Sequence, residues 1–449
     1  MKKIKVLAYC DSPTAKTGFG NVIKENFTRM ADEFDFRIIG INYFGDRHQL
    51  PFFIHQMPDI KNDPYGLGSF ERLLLAGEKP DVILLFQDMF ILGGKAVAGG
   101  RSLISIAKDV YPDVPVVSYF PVDGEPVFKE YVDEILKSDV SLTLSRYGVD
   151  AIKKCCSDAS VDYIYHGVDS DVFHVMDEKD RLAVKSRLSG SAGDFLVVMV
   201  NRFQPRKNVD SALKALSLFK HGYKVCSKCG NYYPIDSDIC DLNNCDSGYV
   251  HIERARKNVS LYLHMENYEP IAMGKLPTDT LANHVKNAGF TSDDHVGIPR
   301  QGGTSVSVES LNSIYNAADV FVSTTLGEGF GLTAIEASAA GTQVIIADNT
   351  TAREVVPTAM FVKNAAHFVL PSDSSIYRRI VSVPDLVKKI ESCYRSWAKN
   401  GNSKVIDNAG VVAVGSMTWD DSATKLSSAL KLAIRSVKDV KKSVKIYTL

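Results

Sequence analysis

Residues 318–348 read ADVFVSTTLGEGFGLTAIEASAAGTQVIIAD. DVFVST and TQVIIAD are short apolar runs of the kind that form buried strands. Between them LTAIEASAA has helical spacing and opens at about Leu332, directly out of a glycine-rich loop. Strand, tight loop, helix and strand make a βαβ unit, with parallel strands and the helix crossing one face. Gly329 and Gly331 let the backbone approach a ligand closely. The following helix N-terminus offers N–H groups and a positive dipole end, a site for a diphosphate. Glu328 lies in the loop and Glu336 in the helix. Ionised carboxylates only accept hydrogen bonds, so they suit sugar and ribose hydroxyls. For this stretch alone, a plain strand-to-helix turn is the alternative.

The alternation continues outward in both directions. FLVVMVN and VSLYLHM read as further strands, with SALKALSLF, TDTLANHVKNAG and VESLNSIYNA as helices. Earlier in the chain IKVLAYC, FRIIGIN, DVILLFQ, VPVVSYF and VSLTLS alternate with helices such as NVIKENFTRMADEF and VFKEYVDEILKSD. Near-continuous apolar strands joined by helices imply parallel sheets covered on both faces. The expected fold is therefore α/β: two Rossmann-like doubly wound domains, with a ligand cleft between them. The first spans residues 1–175 and the second 176–419, while a lysine-rich helix over 420–449 packs back on the first.

The 449 residues carry a net charge of −1, so the chain as a whole offers no basic field for nucleic acid or membrane. MKKIKVLAYC starts like an export signal, but its apolar run stops at Asp11 and no cleavage pattern follows. No apolar run approaches the roughly 18 residues of a membrane span. Cys10, Cys155, Cys156 and Cys393 are scattered as in a reducing compartment, and the expected location is cytoplasmic.

Two further stretches bear on an anionic ligand. Arg202, Arg206 and Lys207 follow FLVVMVN, at a strand's carboxyl end, where guanidinium and ammonium donors suit a diphosphate. Gly18 and Gly20 follow the first strand and permit a tight turn into a helix near Asn21; plain turn chemistry accounts for them equally well.

Together these segments resemble the family 4 glycosyltransferases of the GT-B fold. The resemblance rests on Glu328-GFGLTAI-Glu336 (the Glu-x7-Glu motif), on Arg202 with Lys207, and on Gly18-Phe19-Gly20. His166-Gly167-Val168-Asp169 and Trp419-Asp420-Asp421 add to it. It implies a retaining transferase whose second domain holds a nucleotide-diphosphate sugar, usually a UDP-sugar. In that reading Glu336 binds the ribose. Glu328, with the amides of Gly329, Phe330 and Gly331, faces the sugar. Arg202, Lys207 and the amides of Leu332 and Thr333 neutralise the diphosphate, so that no catalytic metal is needed. Gly18 and Gly20 belong to the donor site, and the first domain takes the acceptor. The family often carries a histidine where this chain has SYFPVDGEP; Asp123 is the nearest polar group there.

One segment falls outside the resemblance. VCSKCGNYYPIDSDICDLNNC places Cys226, Cys229, Cys240 and Cys245 in a C-x2-C-x10-C-x4-C pattern. Four thiolates suit a tetrahedral structural zinc with no open position. An insertion at 222–250 is too small to hold together by its own core. Lys224, Lys228, Arg254, Arg256 and Lys257 flank it, and Tyr232 and Tyr233 suit base stacking. Asp236, Asp238, Asp241 and Asp246 cancel that charge, and a structural knob is the alternative. GINYFGDRHQLPF, KNDPYGLGSF and YFPVDG resemble family 4 enzymes of tailed phages, which implies a hydroxymethylated pyrimidine in DNA as acceptor. A cell-surface glycan or lipid-linked saccharide is a second acceptor class. A nucleotide-sugar epimerase and a non-catalytic sugar-nucleotide- or DNA-binding protein are the competing functions.

Overall fold

The structure, a computed structural model, describes residues 2–56, 63, 65–95, 100–237, 249–267, 279–370 and 376–447, with side chains omitted at 250 and beyond 437. The chain divides into two compact units. The first comprises Met1–Gly167, Leu370–Ile376 and Met417–Leu449; the second comprises Val168–Val369 and Tyr377–Ser416.

The first unit is built on seven strands: β1 (Ile4–Asp11), β2 (Phe34–Ile41), β3 (Phe53–His55), β4 (Val82–Phe86), β5 (Val116–Phe120), β6 (Val140–Thr143) and β7 (Asp162–Tyr163). They pair in parallel in the order β3-β2-β1-β4-β5-β6-β7. Every residue of β4 and β5 is buried, as a sheet covered on both faces requires. The Trp419–Tyr447 helix belongs to this unit, where Leu426, Leu430 and Ala433 are buried and Arg29 meets Asp420 at 2.8 Å. His166 and Trp419 stack face to face (5.9 Å), and a side chain at Gly167 would collide with the Thr418–Trp419 backbone at 2.2–2.3 Å. Two motifs far apart in sequence thus form one packing node. Burial pushes the His166 imidazole down to about 3, which suits a structural ring rather than a proton carrier.

The second unit holds β8 (Phe195–Val200), the insertion strands β9 (Gly222–Cys226), β10 (Tyr232–Pro234) and β11 (Tyr249–Arg254), then β12 (Val259–His264), β13 (Val296–Gly297), β14 (Val320–Ser323), β15 (Gln343–Ala347), β16 (Met360–Val362) and a hairpin of β17 (Asn364–Val369) and β18 (Tyr377–Val381). Its main sheet has the order β13-β12-β8-β14-β15-β16 and is parallel throughout. The crossing from 167 to 168 falls where it does because Phe173 packs on Tyr315 and Asn316 holds both the His174 carbonyl and the Met176 amide.

The cysteine-bearing insertion is a three-stranded antiparallel sheet, β10-β9-β11, and it is not a free-standing knob. Tyr223 is part of the second unit's core, and Val225 and Tyr232 pack against that core. Tyr223 donates to Glu391 at 2.9 Å, and Arg256 and Arg395 reach the same carboxylate from the sheet and from the Val383–Lys399 helix. Three of the residues that the nucleic-acid reading uses have partners within the unit. Tyr233 is buried, Tyr232 stacks on Tyr223, and the Arg256 guanidinium lies over the Phe219 ring. None of the three is presented to a base. Cys226 and Cys229 flank the β9–β10 turn, where Gly230 has φ +69° and the Cys229 amide lies 3.5 Å from the Cys226 Sγ. Cys240 and Cys245 lie outside the described residues. Among the described residues no group of three metal-ligating side chains converges.

Candidate active site

In a doubly wound sheet, ligands bind at the carboxyl ends of the strands where the strand order reverses. In the second unit that point lies between β8 and β14. After β8 the chain makes a turn, Pro205–Lys207, and Asn208 adopts a left-handed conformation (φ 49°) before the Val209–His221 helix. After β14 comes the loop 324–331. The two loops are joined by backbone and side chain. Leu326 donates to the Arg206 carbonyl at 2.8 Å, and the Thr324 hydroxyl donates to that of Asn208 at 2.8 Å. Glu328 then meets two cations: the Lys207 ammonium directly and the Arg206 guanidinium at 3.5 Å. Burial alone would raise the Glu328 carboxyl, but Lys207 and Arg206 outweigh it and hold the group down to about 2. It is ionised at any physiological pH.

The loop is held from its other side by residues after β15. Thr350 accepts from the Glu328 amide at 3.0 Å, and Thr351 donates to the Phe330 carbonyl at 2.9 Å. Asn349 reaches the Thr325 carbonyl at 2.8 Å. Thr350 does this in the left-handed region (φ 38°), a strained position for a β-branched residue. Gly331 ends the loop with φ +106°, which only glycine adopts readily, while a Cβ there would meet nothing within 4 Å. Backbone conformation, not space, selects glycine. The Leu332–Ala339 helix starts there with no side chain capping it. The amides of Leu332 and Thr333 lie in its first turn, where an α-helix supplies no partner for its N–H groups.

Glu336, one turn into that helix, is 8% exposed, and burial raises its carboxyl to about 7. The Tyr315 hydroxyl donates to it at 2.9 Å and offsets that rise only in part. Two acids of one motif thus have opposite character, one held ionised by cations and one poised near neutrality.

The structure gathers Lys207, Glu328, Gly329, Phe330, Gly331, Leu332, Thr333 and Glu336 at one end of one sheet. Arg202 stands exposed just after β8, and Arg206 rather than Arg202 reaches Glu328. Gly18, Gly20 and Asp123 belong to the first unit, at the carboxyl ends of β1 and β5. Sequence reasoning missed Tyr315, Asn349, Thr350 and Thr351. The available signals were a tyrosine on the core side of a helix, which needs a partner for its hydroxyl, and a polar Asn-Thr-Thr run just past a parallel strand.

Comparison with known proteins agrees with this geometry. Residues 303–401 match the family of group 1 glycosyl transferases. The matched region includes the uncapped helix and both motif glutamates. A D-inositol 3-phosphate glycosyltransferase of Mycolicibacterium vanbaalenii is 30% identical over 189 residues, which is 42% of this chain and 33% of that relative. The match therefore spans about a third of the relative's length. Among solved structures, Anabaena HepE in complex with UDP-glucose superposes with a TM-score of 0.62 at 14% identity, covering 95% of this chain and 99% of that one. Sucrose-phosphate synthase from Thermosynechococcus elongatus gives 0.62 at 14% identity, over 97% and 100% of the chains. A glycosyltransferase from Rickettsia africae gives 0.64 at 16%, over 97% and 99%. The matched region thus sits in a chain whose fold neighbours are GT-B proteins. No described helix is long and apolar enough to cross a membrane.

Proposed function

We propose that the protein is a retaining family 4 glycosyltransferase that takes a sugar from a UDP-sugar and passes it to an acceptor hydroxyl. The observation that carries this reading is the meeting of Lys207 and Arg206 with Glu328 beside an uncapped helix, at the switch point of the second sheet. The bond between the sugar's anomeric carbon and the phosphate oxygen breaks, and its electron pair leaves with UDP. Charge therefore grows on the diphosphate, where two cations and the helix amides are already fixed. Glu328 is the partner of both cations. An arriving diphosphate takes them over, and the released carboxylate turns to the sugar hydroxyls. Glu336 takes the ribose. Asp123, beyond β5 in the first unit, is our choice for the acceptor side, and we place the Gly18–Gly20 turn near the donor sugar. Retention rests on the family resemblance of the Glu-x7-Glu arrangement.

The test is a transfer assay with UDP- and GDP-sugars against three acceptor panels: DNA with 5-hydroxymethylated pyrimidines, soluble and lipid-linked saccharides, and donor alone. A product one sugar heavier, with the donor's anomeric configuration by NMR, is the expected result, unchanged by a chelator. Interconversion of donors without an acceptor would mark an epimerase instead.

We also assign a structural zinc to Cys226, Cys229, Cys240 and Cys245. The support is the C-x2-C spacing on the β9–β10 turn, where the Cys229 amide lies 3.5 Å from the Cys226 sulfur and Gly230 donates to the Cys226 carbonyl at 3.0 Å. Elemental analysis should give about one zinc per chain. A metal-free protein of equal thermal stability would remove the assignment.

A further inference from the structure

Glu336 owes its orientation to another residue. Tyr315, on the Val308–Ala317 helix, is fully buried and donates its hydroxyl to Glu336 Oε2 at 2.9 Å. Its ring is held by Phe321 of β14 (5.8 Å, edge-on) and by Phe173 (6.2 Å). Its carbonyl accepts from the Thr342 hydroxyl at 2.6 Å and from the Lys404 ammonium at 3.2 Å. Lys404 also bonds the carbonyls of Asn316 and Ala340, so one buried lysine ties together the carboxyl ends of the helices carrying Tyr315 and Glu336. Ring, backbone and helix ends are all fixed, and a phenol has one proton to give.

We propose that Tyr315 is a positioning residue for nucleotide recognition: by holding Glu336 Oε2 it presents Oε1 to the vicinal hydroxyls of the donor's ribose, and so makes the site selective for ribonucleotides over 2′-deoxyribonucleotides. This rests on the assignment of Glu336 to the ribose. The chemistry is complementary. A ribose diol brings two O–H donors, and a carboxylate with one oxygen already engaged keeps the other for them. A 2′-deoxyribose brings one donor fewer and leaves the buried acceptor underused. The raised Glu336 carboxyl fits this arrangement, because hydroxyl donors favour its ionised form and binding should release a proton near neutral pH.

The experiment is calorimetric titration of the full chain with UDP and with 2′-deoxy-UDP, paired with donor kinetics. The wild type should prefer UDP by about tenfold or more, the scale of a hydrogen bond to a charged group. Tyr315→Phe should cut that preference several-fold and raise the donor KM more than it lowers kcat. It should also shift the pH midpoint of UDP binding upward, since a hydrogen bond to the ionised form is lost. Glu336→Gln should abolish the preference. If Glu336→Gln loses the preference and Tyr315→Phe keeps it, Tyr315 is only structural and the ribose assignment stands. If Glu336→Gln keeps it too, the ribose assignment itself fails. Should Tyr315→Phe not fold, Thr342→Val removes the bond to the Tyr315 carbonyl. It should move the preference the same way by less, and a wild-type preference there counts against the proposal.

Discussion

The two units repeat one topology and end their switch points differently. In the first unit the strand order reverses between β1 and β4. There Asp11 accepts from Gln87 at 2.9 Å and from Thr17 at 2.5 Å. Thr17 in turn caps the Gly18–Met30 helix by accepting from the Gly20 amide at 3.0 Å. The helix starts at Gly18 rather than near Asn21 because of that cap. In the second unit the same crevice holds Lys207 and Arg206, and its helix has no side-chain cap. One turn gives its helix a side-chain cap and carries a carboxylate; the other has no side-chain cap and carries cations. A glycine-rich loop after a strand therefore does not by itself mark an anion site. The residue before the helix, and the charge beside it, decide.

The largest expected effect is on the open crevice. Lys207→Ala should lower kcat by about 10²–10³-fold, the scale of losing one fixed donor to a developing oxyanion. Thr17→Ala should leave kcat within a few-fold. Equal losses in steady-state assays would erase the distinction between the two turns. Lys207→Ala should also reduce acid sensitivity. The Glu328 carboxyl, held at about 2, contributes stability above about pH 4.5 that is lost as pH falls toward 2.

Glu336→Gln should act on stability with the opposite sign. The native protein holds that carboxyl near 7, so burying its charge costs stability increasingly as pH rises from about 4.5 to 7. The variant should melt higher than wild type at pH 8, by the equivalent of about 3 kcal/mol, and equally at pH 4. A gain that is independent of pH would point to packing instead. Weaker UDP binding should accompany it.

The two glycines sharpen the contrast further. Gly20→Ala would bring a Cβ within 2.5 Å of the Ala15 carbonyl and 2.7 Å of that of Ser12, so it should destabilise the first unit by about 1–3 kcal/mol. Gly331→Ala meets no atom and should cost about 1 kcal/mol through its φ alone, with a larger loss in donor affinity as the loop shifts. Circular dichroism melts and UDP titration separate the two. The smallest effect is the Thr17→Ala cap loss, about 1 kcal/mol in thermal unfolding.

The strands of both sheets were legible because each is a short apolar run between helices of period 3.6, from IKVLAYC to TQVIIAD. The β9–β11 sheet was not. Its strands are short, polar on one side and separated by a long cysteine-bearing segment, and its anchor Glu391 lies 168 positions from Tyr223. The β17–β18 hairpin was hidden for a related reason: NAAHFV and YRRIV show no clean alternation. Glu328 and Lys207, both singled out in the sequence, meet in the structure because they follow the neighbouring strands β14 and β8. Tyr315 and Thr350 touch the loop from 21 and 22 positions away through single polar atoms, and nothing local announces such a contact. Of the two arginines that follow β8, Arg206 is the one that meets Glu328, because the turn at Pro205–Lys207 places it there.

The discontinuity of the first unit has a consequence for biosynthesis. Gly167 has no side chain because the Thr418–Trp419 backbone crosses it, and the helix that follows covers the Gly18–Met30 helix. Residues 417 onward leave the ribosome after all of the second unit. The second unit can therefore complete its core while the first still waits for the helix after 417. Released chains truncated before residue 417 should bind UDP yet remain open to protease around the Gly18–Met30 helix, which makes translation order a built-in delay between completing the second unit and completing the first.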